Sequence, residues 1–290
     1  MSDVVMLAYG DERRHLELGT PVDVLDAGSH KPLLCKLEDE DGAPAGDWIV
    51  KTPCMYAHGA SSLLREVIGS DLAAFAGLPT PAIGLLRLPD PPAATDASDV
   101  GARAAAVYRA DAGQLAFCSR KLAAPTLEPS VLRRPGRPRN QLVHDAVFTF
   151  LFDVFMWHYD RTWKNPNLLL LDHRLVVIDH DRVCHGVESV DETGLAPDYT
   201  SFGHEAALVD HVLRPLLKRQ VAHIAWHEFR DRMASLDGVT LDEMAARWPD
   251  ELDRGRTGAT VDLKADVVRF LRARVSVVDR IVEEARSVVA

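Results

Sequence analysis

Residues 158–181 read HYDRTWKNPNLLLLDHRLVVIDHD, and the chain is best read outward from them. Two apolar runs, Leu168 to Leu171 and Leu175 to Ile178, are matched about a short polar turn, DHR. That pattern predicts an antiparallel hairpin. Neighbouring strands lie about 4.8 Å apart, so the residues before the first strand emerge beside those after the second. Asn165 and Asp179 therefore share one end of the hairpin, with Asp160 on the loop just before them. Two carboxylates and an amide offer oxygen only, which suits a hard cation such as Mg²⁺ completed by phosphate oxygens. The bland alternative is that these residues merely cap two strands.

Upstream, the chain reads as short strands: Val4 to Tyr9, His15 to Leu18, Val22 to Leu25, Pro32 to Leu37 and Trp48 to Lys51. A helix follows over SSLLREVIGSDLAAFAGLP, with Ser61 or Ser62 as its N-cap, Gly77 at its end and Pro79 just beyond. PAIGLLRL predicts another strand, residues 89–101 a surface loop, and AAAVYR and LAFCSRKL two further strands. RRPGRPR at 133–139 is a basic, proline-broken loop, either solvated or a receiver of acidic substrates. Gln141 to Trp157 is apolar nearly all round, which predicts a buried helix. Helices are expected beyond the hairpin, over Leu208 to Phe229 and Asp262 to Val289. The last carries a stripe of Val268, Leu271, Val275, Val278 and Val282. Strands followed by helices make an α+β protein.

The pattern H-x-D-x-x-x-x-N, then an Asp after a hairpin, resembles the catalytic and metal-binding loops of the protein-kinase-like superfamily. The fuller string DRTWKNPNLLL…VVIDHD is most similar to the HipA-like kinases, and DWIVKTP and LLREVIGSDLAAFAGLPTP extend the similarity over about 47–88 and 141–185. The resemblance implies a bilobal fold, with a strand-rich N-lobe over 1–110 and a mainly helical C-lobe over 111–290. It implies Asp160 as catalytic base, with Asn165 and Asp179 as Mg²⁺ ligands. Lys51 would hold the nucleotide phosphates, paired with Glu66 fifteen residues on; the alternative is a surface Lys and a surface helix Glu. ATP and Mg²⁺ are the implied cofactors, and the acceptor is a hydroxyl, on a protein Ser or Thr. His158 is assigned to packing, and Arg161 either pairs with a nearby carboxylate or lies exposed.

The chain departs from the kinase pattern in several places. It has no G-x-G-x-x-G, and LDAGSHKP (25–32) is the only loop suited to phosphates, through Gly28, Ser29 and Lys31; an ordinary turn is the favoured alternative there. His180-Asp181 replaces Phe-Gly, and Asp181 is placed to replace or supplement Asp179 on the metal. Thr162 stands where many kinases carry a lysine, with Lys164 two residues further on.

Of the 290 residues, 47% are hydrophobic and 26% charged, and the formal net charge of −10 argues against a nucleic-acid partner. The N-terminus lacks a signal-peptide pattern, and no apolar run approaches the ~18 residues of a membrane span. Cys35, Cys54, Cys118 and Cys184 are scattered, so reduced thiols and a cytoplasmic protein are expected. Three rival readings stay open: a small-molecule kinase of the aminoglycoside or choline type, a non-catalytic binding module with the same fold, and a phosphohydrolase. The phosphohydrolase would place a metal on His144, Asp145 and the histidines at 158, 173, 180 and 185. His204, His211, His223 and His227 read as ordinary helix residues.

Overall fold

A ring of five strands organises the first part of the protein. The structure, a computed structural model, describes residues 14–17, 21–25, 30–89, 99–133, 140–187, 198–201, 208, 210–218, 226–254 and 262–290. The strands are β1 (Arg14–Glu17), β2 (Pro21–Val24), β3 (Leu33–Asp39), β4 (Pro44–Lys51), β5 (Ile83–Arg87) and β6 (Leu115–Arg120). Hydrogen bonding runs β1-β5-β6-β4-β3 and returns from β3 to β1, with β2 added beside β3. Closure leaves no open edge around the ring. Side chains alternate across each strand. Leu33, Cys35, Leu37, Trp48, Val50, Leu86, Ala116 and Cys118 thereby fill the interior together.

Helix α1 spans Ala60–Ala76 and helix α2 spans Asp99–Ala110. The stretch AAAVYR, expected as a strand, lies inside α2. Alanine is the strongest helix former, and Ala104 and Tyr108, one turn apart, seal the barrel core. Helix α1 starts before the expected serine cap. Gly59, at φ 63°, ends the preceding turn, so Ser61 falls in the first helical turn and its Oγ donates to His58 O at 2.9 Å. Its other end is as expected: Gly77 takes φ 83°, and the Gly77 and Leu78 amides donate to Ala74 O and Ala73 O. This is the Schellman arrangement that glycine permits.

Helix α3 (Asn140–Phe155) is buried from Ala146 to its end. Next come the hairpin strands β7 (Leu168–Leu171) and β8 (Arg174–Val177). The turn is Asp172-His173, both at positive φ, and Arg174 pairs with Leu171 inside the ladder. Two residues with φ above zero make the turn whose twist suits a two-residue hairpin. Asp145 of α3 takes Arg174 Nε at 2.7 Å and Leu175 N at 3.0 Å, tying β8 to the helix.

Short helices follow: α4 (Arg214–Lys218), α5 (Trp226–Ala234), α6 (Gly238–Ala246), α7 (Leu263–Ser276) and α8 (Val278–Val289). The expected helix over 208–229 is interrupted by a turn at 210–213. The last expected helix breaks at Val277, whose φ of −125° leaves the helical region. Of the predicted stripe Leu271, Val278 and Val282 are buried, while Val267, Phe270, Arg274 and Ile281 are buried rather than the half-buried Val268 and Val275. Arg274 Nε and Nη2 donate to Phe155 O (3.0 Å) and Val154 O (2.9 Å), capping α3, while Nη1 donates to Tyr199 O and Ser201 O. A cation is favoured at a helix C-terminus.

The chain divides into two units. One comprises residues 1–67, 81–122 and 249–261; the other comprises 68–80, 123–248 and 262–290. The mixture of strands and helices makes the fold α+β. No helix of the described residues is long and apolar enough to cross a membrane. The expected strand Val4 to Tyr9, the loop residues Gly28 and Ser29, most of the 89–101 loop, Arg134, Arg137, Arg139, His204 and His223 lie outside the described residues.

Candidate active site

In the barrel unit, strand alternation decides where Lys51 points. Trp48 and Val50 face the core, so Lys51 takes the other face of β4. There Lys51 Nζ donates to Glu66 Oε1 of α1, with the two side chains only 11% and 1% exposed. This is a buried ion pair, not two surface charges. Such a pair needs excellent geometry and extra hydrogen bonds to repay its desolvation, which makes it more informative about a site than about stability. Lys31, the described cation of the 25–32 loop, is exposed and sits at φ 46°.

In the helical unit, the hairpin ends carry the remaining candidates. Asp160 Oδ2 accepts from Asn165 Nδ2 at 2.7 Å and from Asn167 Nδ2 at 3.2 Å. The loop closes on itself: Thr162 N donates to Asp160 O and Asn165 O, both at 3.0 Å. Asn167 and Asp179, which flank the two strands, adopt φ of 47° and 62°. Short polar residues tolerate that region best, and such conformations gather at functional sites. The carboxylate oxygens of Asp179 and Asp181 lie within 4.8 Å of one another. His180 between them is buried against Gly69, and burial, with the Arg161 charge next, lowers its pKa well below the ordinary value.

Behind this loop lies a buried carboxylate. Asp153 of α3 accepts from His158 Nδ1 (3.0 Å), His211 Nε2 (3.0 Å) and Arg161 Nε (2.8 Å). Burial alone would raise its pKa, but Arg161, His158 and His211 outweigh that and hold the carboxyl far below the usual range. Arg161 is thus the buried, carboxylate-paired residue of the two options. His158 is fully buried and engaged in structure, as expected from its place in the motif. Lys164 is exposed, and Thr162 forms an isolated bridge with His211.

The phosphohydrolase constellation does not assemble. His144 faces Glu228 at 3.0 Å, Asp145 holds Arg174, and His173 occupies the hairpin turn. Among the described residues, no group of three potential metal ligands includes a histidine. His211, which the sequence pattern places on a helix, lies in a turn and binds Asp153. Asn167 and Asp153 join the site without belonging to the kinase-like motif. The second asparagine of KNPN and the lone acid in AVFTFLFDVFMW were the signals available.

The oxygen donors of Asp160, Asn165, Asp179 and Asp181 are of the kind that fits Mg²⁺, and with Asn165 Nδ2 donating to Asp160, the Asn165 Oδ1 is the amide oxygen that could serve a cation. A family model described as HipA-like kinase matches residues 22–236, and a search of curated proteins gives no match. The matched span runs from β2 past the end of α5 and takes in Lys51, Glu66 and both ends of the hairpin. On this ground the chain belongs to the HipA-like kinase family, whose members are kinase-type phosphotransferases.

Proposed function

We propose that the protein transfers the γ-phosphoryl group of ATP, with Mg²⁺, to the hydroxyl of a protein Ser or Thr. The observation that carries this reading is the grip on Asp160: both amides bind its Oδ2, which leaves Oδ1 for an incoming hydroxyl. The strand-rich unit is then the nucleotide-binding lobe and the helical unit the catalytic lobe. Lys51, held by Glu66, supplies the cation for the α/β-phosphates.

Asp160 orients the acceptor hydroxyl and takes its proton at Oδ1 as the oxygen attacks the γ-phosphorus and the bond to the β,γ-bridging oxygen breaks, releasing ADP. Asn165, through Oδ1, and Asp179, with Asp181 beside it, would hold the metal. Bound Mg²⁺ would neutralise charge on the phosphate oxygens. Asn167 keeps Asp160 from turning, so the base meets its substrate in one orientation.

The test is transfer of labelled γ-phosphate from ATP and Mg²⁺ by wild type, Asp160→Asn and Asp179→Asn. The acceptors are the protein itself, an extract and a panel of small hydroxyl compounds. Asp160→Asn should bind nucleotide but turn over about 10²- to 10⁴-fold more slowly, the range for losing a general base. Asp179→Asn should also weaken Mg²⁺-dependent binding. Label found only on a small molecule would replace the Ser/Thr assignment, and unimpaired variants would remove the site assignment.

A further inference from the structure

We propose that Asp153 and Arg161 are positioning residues that set the spacing between the two hairpin ends, and so hold Asp160 and Asp179 in register for metal and acceptor; this rests on the kinase reading above. Arg161 follows Asp160 directly in the chain. Its Nη1 donates to Asn167 O, the residue entering β7, and to Ile178 O at 3.2 Å, the residue leaving β8. One guanidinium therefore touches the backbone at both ends of the hairpin. Asn167 in turn donates to Asp160, and Ile178 is bonded directly to Asp179.

A guanidinium can do this because its donors form a rigid fork. Here Nε is spent on Asp153, which fixes the plane of the fork and aims Nη1 at the two carbonyls. Asp153 is itself clamped. His158 reaches it from two residues before Asp160, and His211 reaches it while Val212 N donates to Arg161 O at 3.0 Å. His211 Nδ1 accepts from Leu213 N, so its Nε2 is the protonated nitrogen in a neutral ring. Asp153 and Arg161 thus form a buried anion–cation pair, with His158 and the neutral His211 as further partners of the carboxylate. Packing alone needs neither charge, since an apolar pair of the same volume fills such a space as well or better. What the ion pair adds is direction: it locates both metal-bearing segments from one point.

The experiment measures ADP affinity of the full chain by calorimetry with and without Mg²⁺, so that no turnover is needed, alongside thermal stability. Arg161→Lys keeps the charge on Asp153 but loses the fork. The factor by which Mg²⁺ strengthens ADP binding should fall at least tenfold, while ADP affinity without Mg²⁺ stays within about twofold. A purely structural role would shift the melting temperature and leave that factor unchanged in the folded protein, and this result overturns the proposal. Should Arg161→Lys not fold, the double variant Asp153→Asn/Arg161→Met removes both buried charges together and carries the same test. No Mg²⁺ effect in wild type would instead defeat the kinase reading and the proposal with it.

Discussion

Gly69→Ala tests how closely Gly69 of helix α1 must approach His180, between the two carboxylates proposed to hold Mg²⁺. A Cβ built on Gly69 falls 2.7 Å from His180 Cγ and closer still to His180 Cβ. Carbon atoms pack comfortably at about 3.5–4.0 Å, so the two backbones must part by roughly 1 Å. His180 is buried and cannot swing into solvent to relieve the contact. In an open helix the same substitution would stabilise by about 1 kcal/mol, because glycine is a poor helix former. Overpacking a tight interior costs about 1–3 kcal/mol. The clash should therefore win, for a net loss of about 1 kcal/mol. His180 lies between Asp179 and Asp181, so Mg²⁺-dependent nucleotide binding should weaken as well. Urea unfolding and calorimetry measure the two effects, and in a double-mutant cycle the Gly69→Ala loss should largely vanish when measured in a His180→Gly background. A Gly69→Ala protein that gains about 1 kcal/mol and binds Mg²⁺–nucleotide normally would refute the reasoning.

Arg274→Ala should destabilise by about 3–5 kcal/mol, since it removes a large buried side chain and leaves four carbonyls without their donor. A loss below 1 kcal/mol in urea unfolding would show that water replaces it. Stability should also fall as pH falls below about 6.5. Burial keeps His180 and His211 neutral in the fold, so the unfolded chain takes up protons that the folded chain refuses. Two such groups give a slope approaching about 2.7 kcal/mol per pH unit. Asp153 has the opposite charge type and a later window: its depressed pKa stabilises fully above about pH 4 and that contribution drains below it. Unfolding curves at pH 7.5, 6.0 and 5.0 decide the histidine part, and a flat profile would contradict it.

The hairpin was legible because its two runs match in length and its turn is polar; the second strand lies one residue earlier than expected, taking in Arg174 and leaving out Ile178. The end of α1 was legible from Gly77 for the same local reason. The Lys51–Glu66 contact was legible only through the family resemblance, because local pattern by itself favoured two surface charges. The misread elements depend on partners far along the chain. AAAVYR suits a strand or a helix until Ala104 and Tyr108 are seen capping a barrel. The break at Val277 has no glycine or proline to announce it. Asp153 is the lone acid of an apolar run, and its three partners come from residues 158, 161 and 211, which only folding gathers.

The barrel unit is discontinuous, and this bears on how the protein is made. Its ring of strands is complete by Arg120, yet residues 249–261 belong to the same unit, with Leu252 buried and Glu251 binding Arg87 bidentately. At 5–20 residues per second, the intervening 123–248 stretch takes roughly 6–25 s to synthesise. For that interval the nascent barrel stands without its last piece. A premature stop codon just before residue 249 therefore trims the first unit as well as the second, and neither unit can be expressed whole from one uninterrupted length of gene.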